Sequence, residues 1–282
     1  MTSGLDALDA GQRRLVASWL PGARVVRDHS WGLVGTVVLE VEHAGERYVV
    51  KAADEHDHHL DRELRAHREW LEPWATRGRG PSLVRADGDA KVLVTRFLPG
   101  VLAQGTPAEH EPETHRQAGE LLALLHAQPS TVDEDYETRL RDKTLAVLDK
   151  PHRIAPDVEA RLREEVAAWP TPPSTVVPTH GDWQPRNWLW DDGVVRVIDL
   201  GRADLRPAAS DLVRLAAQQW RGRPELEEAF VEGYGGDPRE PGAWHRLQVV
   251  EAVGTAVWAH GVGDEAFERQ GHRMIADVLD NR

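Results

Sequence analysis

The sequence predicts an α+β protein built in two parts, a small β-rich front and a larger, mainly helical back. Three observations carry this expectation. Short valine-rich runs, each bounded by glycine or a charged turn, crowd residues 34–97. The triplet Leu98-Pro99-Gly100 then breaks the pattern. Beyond it, apolar residues recur at helical spacing, interrupted by one compact β-rich stretch over 175–200. We therefore expect two lobes, 1–98 and 99–282, with a cleft between them as a usual place for a small-molecule site.

Each element has its own signal. The chain through Leu20 reads as a helix with Leu5, Leu8, Leu15 and Leu20 available for one face, stopped by Pro21-Gly22. Strands are expected over 34–41 and 47–52, joined by a hairpin-type turn at Ala44-Gly45. Residues 60–75 turn helical, with Leu60, Leu64, His67 and Leu71 in step. Two more strands, 82–86 and 91–97, flank the turn Asp87-Gly88-Asp89. In the back part, helices are expected over 114–127 (Ala118, Leu121, Leu122 and Leu125 on one face), 137–149 and 157–169. Prolines over 170–173 stop the last of these, and helices return from Ala208 onward. There is no internal repeat and no low-complexity segment, so a solenoid fold is not expected.

Composition narrows the function classes. The 282 residues include no cysteine, which excludes disulfides, thiolate metal sites and cysteine nucleophiles. No apolar run approaches the roughly 20 residues that cross a bilayer. The N-terminus lacks a basic start followed by an apolar core, so a cytoplasmic, soluble protein is expected, with no membrane partner. Lys+Arg 34 against Asp+Glu 47 gives a net charge of −13. That field repels nucleic-acid backbones and attracts a cationic partner, or serves solubility alone. Monomer and homodimer both remain open. Basic residues are nearly all arginine, and lysine occurs only at 51, 91, 143 and 150.

The stretch His180-Gly181-Asp182-Trp183-Gln184-Pro185-Arg186-Asn187 is the most informative, together with Val197-Ile198-Asp199-Leu200-Gly201. Gly181 and Pro185 make the first segment irregular, so Asp182 and Asn187 can turn into one small site. The alternating run between them and Asp199, broken at Asp191-Asp192-Gly193, reads as a β-hairpin that returns Asp199 close to Asn187. Two carboxylates and an amide oxygen, without Cys or a nearby His pair, suit Mg²⁺. Upstream, Lys51 ends the strand run Tyr48-Val49-Val50, with Glu63 on the next helix as a candidate counter-charge. A glycine-containing turn, Ser30-Trp31-Gly32-Leu33-Val34-Gly35, precedes it, and glycines let backbone N–H groups approach phosphate oxygens. Turn, Lys, Glu, hinge, Asp…Asn and Asp follow the order of parts in kinase phosphoryl transfer.

On these residues the chain resembles the aminoglycoside phosphotransferase family, which shares a bilobal fold with protein kinases and choline kinases. His180, Gly181, Asp182 and Asn187 match its His-Gly-Asp-x-x-x-x-Asn loop, and Ile198-Asp199 its metal motif, with Asp211-Leu212 downstream. Residues 96–100, Arg-Phe-Leu-Pro-Gly, resemble its hinge, and Leu121 to His126 its Leu-x-x-Leu-His helix. The resemblance spans roughly residues 30–212 and implies an ATP- or GTP-dependent kinase using Mg²⁺. It implies Asp182 as catalytic base, Asn187 and Asp199 as metal ligands, and Lys51 as the phosphate-binding cation held by Glu63. Ser30, Gly32 and Gly35 would then lie over the phosphates, and the backbone near Arg96 and Leu98 would hold the base ring. Gln184, Arg186 and Leu200 depart from the residues common in the family, although none removes a ligating group.

The His56, His58, His59 cluster reads as a solvated loop rather than a metal site. Of the 11 tryptophans, Trp70, Trp74, Trp169, Trp188 and Trp190 fit core positions. Trp183, Trp244 and Trp258 could instead line an acceptor site. Acidic residues in the variable helices (Asp133, Glu134, Asp135, Glu137, Glu251, Asp264, Glu265, Glu268) point to a cationic antibiotic, an aminoglycoside or a basic cyclic peptide of the capreomycin–viomycin type. Trp183, Glu251 and Trp258 are the candidate substrate residues. A metabolic kinase for a small amine, sugar or amino alcohol, and a silent nucleotide-binding module, are the alternatives.

Overall fold

Ala44 and Gly45 both adopt positive φ, 52° and 82°, the conformation a two-residue hairpin turn requires. They join β2 to β3 in a computed structural model that describes residues 4–30 and 35–280. A short 3₁₀ turn, Gly4–Ala7, precedes α1, Ala10–Trp19. There follow β1 (Arg24–Asp28), β2 (Val37–His43), β3 (Glu46–Ala52), α2 (His58–Glu69), α3 (Glu72–Ala75), β4 (Leu83–Asp87) and β5 (Val92–Arg96). The five strands form one antiparallel sheet in the order β1-β2-β3-β5-β4.

Strand alternation decides which residues face which helix. Leu39, Val41, Tyr48, Val50, Val92 and Val94 join Leu5, Leu8, Val16 and Leu20 in one apolar core. Gln12 is buried in α1 and donates to the carbonyls of Ala53 (2.8 Å) and Ala90 (3.1 Å), anchoring the helix to the strand ends. Leu93, one step out of phase, packs with Leu60 of α2 and Ala53. Lys51 is the register partner of Leu93 and lies on that second side of the sheet. The single helix expected over 60–75 is two: Trp70 ends α2 and a new turn starts at Glu72. Strand β1 had no sequence signal, because its residues are mostly exposed and do not alternate.

The chain continues with β6 (Val101–Leu102), α4 (Pro112–His126), β7 (Thr131–Asp133), α5 (Tyr136–Leu148), α6 (Pro156–Ala167) and β8 (Ser174–Thr179). Next come β9 (Trp188–Asp191), β10 (Val194–Val197), β11 (Asp204–Arg206), α7 (Val213–Ala217), α8 (Pro224–Tyr234), α9 (Pro241–Val262) and α10 (Glu265–Asp280). Strands β9 and β10 form the expected hairpin, and β6 adds to it through Val101↔Trp190 and Leu102↔Leu189. Gly100 allows this close approach: its φ is 123°, and a Cβ there would lie 3.0 Å from the Trp190 carbonyl oxygen.

Contacts divide the chain into two compact units, 1–125 with 180–204 and 229–235, and 126–179 with 205–228 and 236–282. Residue 98, the expected boundary, falls inside the first unit, because the chain pairs with the β9–β10 hairpin directly after Gly100. The second unit is a helical body with a small sheet, β11-β8-β7. Its core joins Leu148, Leu162, Val166 and Trp169 to Val249, Val253, Val257, Ile275 and Val278. Among the described residues no helix is long and apolar enough to cross a membrane.

Helices α9 and α10 meet at Gly271, where a Cβ would lie 2.5 Å from the Ala256 backbone nitrogen and 2.6 Å from its Cα. Gly271→Ala is expected to destabilise the protein by about 1–3 kcal/mol, since backbone on the facing helix cannot yield as a side chain can. Chemical denaturation checks this, and an unchanged midpoint would mean that the helices separate at little cost.

Candidate active site

Lys51 lies at the C-terminal end of β3 and faces α2, where Glu63 is buried. Its ammonium donates to both Glu63 carboxylate oxygens, at 2.8 and 2.9 Å, and to Asp199 Oδ1 at 3.2 Å. Only 14% of the Lys51 side chain is exposed, against 51% for Asp199. Burial works against the ammonium, but the Asp199 and Glu63 carboxylates outweigh it and raise the Lys51 pKa. Asp199 is held below the usual carboxylate range by Lys51, against burial. Glu63 moves the other way, because burial raises its carboxyl more than Lys51 lowers it. The site is a charge cluster fixed at one end and half open to solvent at the other.

The segment bearing Asp199 is tied down from several directions. His59 Nδ1 meets the Gly201 carbonyl at 2.8 Å, and Arg65 pairs with Asp204 at 2.7 Å, both from α2. The β9–β10 hairpin before it is clamped by Gln117 of α4, which accepts from Val195 N–H (3.0 Å) and donates to the Gly193 carbonyl (2.8 Å). Asp199 itself has φ 66°, a left-handed conformation that costs a non-glycine residue of order 1 kcal/mol or more. Strain of this kind persists only where surrounding contacts hold it.

His180 organises the preceding loop. The Asp182 backbone N–H donates to His180 Nδ1 at 3.2 Å, so the proton resides on Nε2, which donates to the Ile198 carbonyl at 3.0 Å. The imidazole thus links the Asp182 loop to the segment bearing Asp199. Asn187 Nδ2 donates to the Asp182 carbonyl at 2.7 Å and to its Oδ2 at 3.0 Å. The amide nitrogen is therefore engaged, which leaves the amide oxygen as the donor atom for a ligand. Asp182 Oδ1 accepts from Gln184, and Oδ2 also accepts from Arg186, through Nη2 at 2.6 Å and Nε at 3.2 Å.

Trp183 departs from expectation. Its ring is fully buried and packs against Trp74 (centroids 5.7 Å apart), His180 (5.3 Å) and Trp188 (5.8 Å). It supports the loop from beneath and does not line an acceptor site. Packing against Trp74, His180 and Trp188 draws the Trp183 ring into the core. Nothing in the sequence signalled that Trp74 and His115 would complete this aromatic cluster, the latter against Trp188 at 5.4 Å.

The remaining sequence-predicted positions have these places. Ser30 Oγ accepts from the Val38 N–H at 3.0 Å and closes the base of the β1–β2 loop. Gly35 is the first described residue after it, and a Cβ there would lie 3.4 Å from Asp54 Oδ2. Gly32 lies outside the described residues. Arg96 N–H is engaged by the Ser82 carbonyl (2.9 Å), its guanidinium by Glu46 (3.1 Å), and Leu98 follows half-buried. Glu251 and Trp258 belong to α9 in the second unit. Glu251 pairs with Arg214 at 2.9 Å, whereas Trp258 is 47% exposed and meets Phe267 edge-on. Asp211 and His126, noted separately in the sequence, are buried together with Oδ2 and Nε2 3.1 Å apart. A groove of about 710 Å³ in the second unit, lined by Glu165, Trp169, His245 and Arg246 among others, holds none of these residues.

His67 is a neighbour that sequence reasoning assigned only to helix periodicity. Its side chain is 1% exposed, 3.9 Å from Glu63, and neither ring nitrogen has a hydrogen-bond partner among the described residues. Burial, with Lys51 adding repulsion, pushes its pKa down to about 3 from 6.5. The unfolded chain then binds a proton that the folded one refuses. This residue's contribution is fully present above pH 6.5 and is lost as pH falls toward 3. The expected slope is about 1.4 kcal/mol per pH unit. Thermal melts between about pH 4 and 7 should give a shallower dependence for His67→Leu than for the wild type. Identical slopes would exclude His67 as the titrating group.

A sheet-borne lysine paired to a helix glutamate, facing an aspartate just after a following hairpin, is kinase-like architecture, and the protein is an enzyme of the phosphotransferase class. More narrowly, residues 25–249 match the phosphotransferase enzyme family (APH), and the chain belongs to that family. No curated protein matches the chain by sequence. Among solved structures, choline kinase LicA from Streptococcus pneumoniae aligns with TM-score 0.67 at 14% identity, covering 96% of this chain and 98% of that one. A thermostable mutant of aminoglycoside phosphotransferase APH(4)-Ia, in a ternary complex with ADP and hygromycin B, gives TM-score 0.65 at 13% identity, covering 95% and 97%. Macrolide 2'-phosphotransferase MphH from Brachybacterium faecium gives 0.62 at 19%, covering 95% and 98%. At these identities the likeness establishes the α+β, protein-kinase-like fold.

Proposed function

We propose that the enzyme transfers the γ-phosphoryl group of ATP, or GTP, to a hydroxyl of a cationic antibiotic in the cytoplasm and so confers resistance. The observation that carries the phosphoryl-transfer reading is the Lys51 ammonium shared between buried Glu63 and half-exposed Asp199. Glu63 fixes the lysine, and the lysine presents its charge where the α- and β-phosphates would lie. Ser30 and Gly35 would lie over them, and the backbone near Arg96 and Leu98 would hold the base ring. Asp182 orients the acceptor hydroxyl and takes its proton as the oxygen attacks phosphorus.

The donor set fits Mg²⁺. Asn187 has its nitrogen committed to Asp182, which leaves an oxygen donor, and Asp199 is kept ionised beside Lys51. Bound there by Asn187 and Asp199, the metal would neutralise charge on the phosphate oxygens.

For the acceptor, exposed Glu134, Asp135, Asp264 and Glu265 together with exposed Trp258 support a cation-binding surface. A second reading, a metabolic kinase for a smaller acceptor, draws on the pairing of Asp133, Glu137 and Glu251 with Arg139, Arg246 and Arg214. Those carboxylates are already neutralised within the second unit. The test is ADP or GDP release with Mg²⁺ across aminoglycosides, capreomycin, viomycin, macrolides, choline and amino sugars, with mass spectrometry for one added phosphoryl group. Turnover of one cationic antibiotic supports the proposal. Turnover confined to small amines or sugars replaces it with the second reading, and nucleotide binding with no turnover supports a silent module.

A further inference from the structure

Arg186 is unexplained by the roles above. It stands directly before Asn187 and places Nη2 and Nε on Asp182 Oδ2, at 2.6 and 3.2 Å. Its side chain is 37% exposed while that of Asp182 is 5% exposed, so the guanidinium covers the outer side of the carboxylate. Gln184 and Asn187 already bond the carboxylate from within the loop, so holding Asp182 in place does not require an arginine. Arg186 Nη1 makes no bond to the protein among the described residues, and its donors remain for a ligand.

Reaction geometry says which ligand. An acceptor oxygen bonded to Asp182 must lie about 3 Å from the phosphorus it attacks. The equatorial oxygens of the transferring group then fall within reach of a guanidinium whose other edge is on the same carboxylate. The Lys51 ammonium is already committed to Glu63 and Asp199, whereas Arg186 bonds the Asp182 carboxylate itself.

We propose that Arg186 is a catalytic residue, a cis-acting arginine that donates through Nη1 to the transferring phosphoryl group while Nε and Nη2 align Asp182. The inference rests on the phosphoryl-transfer reading of Asp182. In the step, the acceptor oxygen forms its bond to the γ-phosphorus as the bond from phosphorus to the β,γ-bridging oxygen breaks. The electron pair of the broken bond leaves with the nucleoside diphosphate, and the hydroxyl proton passes to the Asp182 carboxylate. Charge spreads over the three equatorial oxygens during the transfer, and Arg186 binds them more strongly then than in the ground state.

The test uses the full-length protein with ATP and Mg²⁺, following ATP hydrolysis with water as acceptor and affinity for ADP with and without fluoroaluminate as a transition-state mimic. Arg186→Met should lower the rate by about 10²–10³-fold and weaken fluoroaluminate–ADP by a similar factor, with ADP affinity unchanged; the melting temperature falls as buried Asp182 loses its cation, so the assays are run well below it. Arg186→Ala should regain part of its rate in millimolar guanidinium, a rescue that a structural role would not produce. The proposal is overturned if Arg186→Met keeps the wild-type rate and analogue affinity, or if it loses ADP and analogue affinity equally. Asp182→Asn separates the two readings. If that variant is inactive while Arg186→Met is not, the arginine role alone fails; if Asp182→Asn stays active, the base assignment fails with it.

Discussion

Asp182→Ala is expected to reduce turnover by about 10³-fold or more while nucleotide affinity stays near that of the wild type. The carboxylate is buried at the tip of the loop, fixed by the Asn187 amide and by the His180 contact to its own backbone N–H. On the proposed function, its removal takes away the group that orients the hydroxyl and receives its proton, but none of the groups assigned to the phosphates. Steady-state kinetics with the acceptor from the panel, paired with calorimetric nucleotide titration, separates these effects. A variant that binds nucleotide and turns over at the wild-type rate would move the base to another residue. Loss of nucleotide binding together with rate would instead mean that the loop had collapsed.

Lys51→Met is the second large effect, and it acts on stability as well as activity. The substitution leaves Glu63 buried without its cation, and removing one partner from such a pair costs about 3–5 kcal/mol. Half-exposed Asp199 loses the same cation but is relieved by water, so its share is smaller. In a chain of this size the melting temperature should fall by roughly 10 °C. Lys51→Met/Glu63→Gln removes the stranded charge and should recover much of that stability while staying inactive and weak in nucleotide binding. If the double variant melts no higher than the single one, the loss arises from packing and not from unpaired charge.

The site was more legible in the sequence than its surroundings, for a physical reason. Asp182 and Asn187 lie five residues apart in a loop marked by Gly181 and Pro185, and a hairpin with Asp191-Asp192-Gly193 at its turn announces the return to Asp199. Lysine scarcity singled out Lys51, and the alternation of β3 placed it on the side of α2, where Glu63 was expected. What could not be read was anything decided by packing between segments distant in sequence. Trp183 follows Asp182 directly, yet its ring goes to Trp74 and Trp188. Glu251 carries a charge that the sequence offers to a ligand, whereas Arg214 already holds it. Strand β1 has no alternating pattern, because its place at the sheet edge rests on backbone bonds to β2 and not on burial. The division at residue 98 followed a Pro-Gly break, but the contact grouping follows β6 across it.

The ion pairs of the site also set a timetable for biosynthesis. Lys51 and Glu63 are 12 residues apart, so both emerge from a ribosome within about a second or two of each other. Asp199 follows Lys51 by 148 residues, a delay on the order of ten to thirty seconds at ordinary elongation rates. Throughout that interval the nascent chain carries the lysine and the glutamate without the third member of the cluster. Arg65 and His59 likewise wait for Asp204 and Gly201. The complete Lys51–Glu63–Asp199 cluster thus cannot form until the β9–β10 hairpin and the Asp199 that follows it have been synthesised.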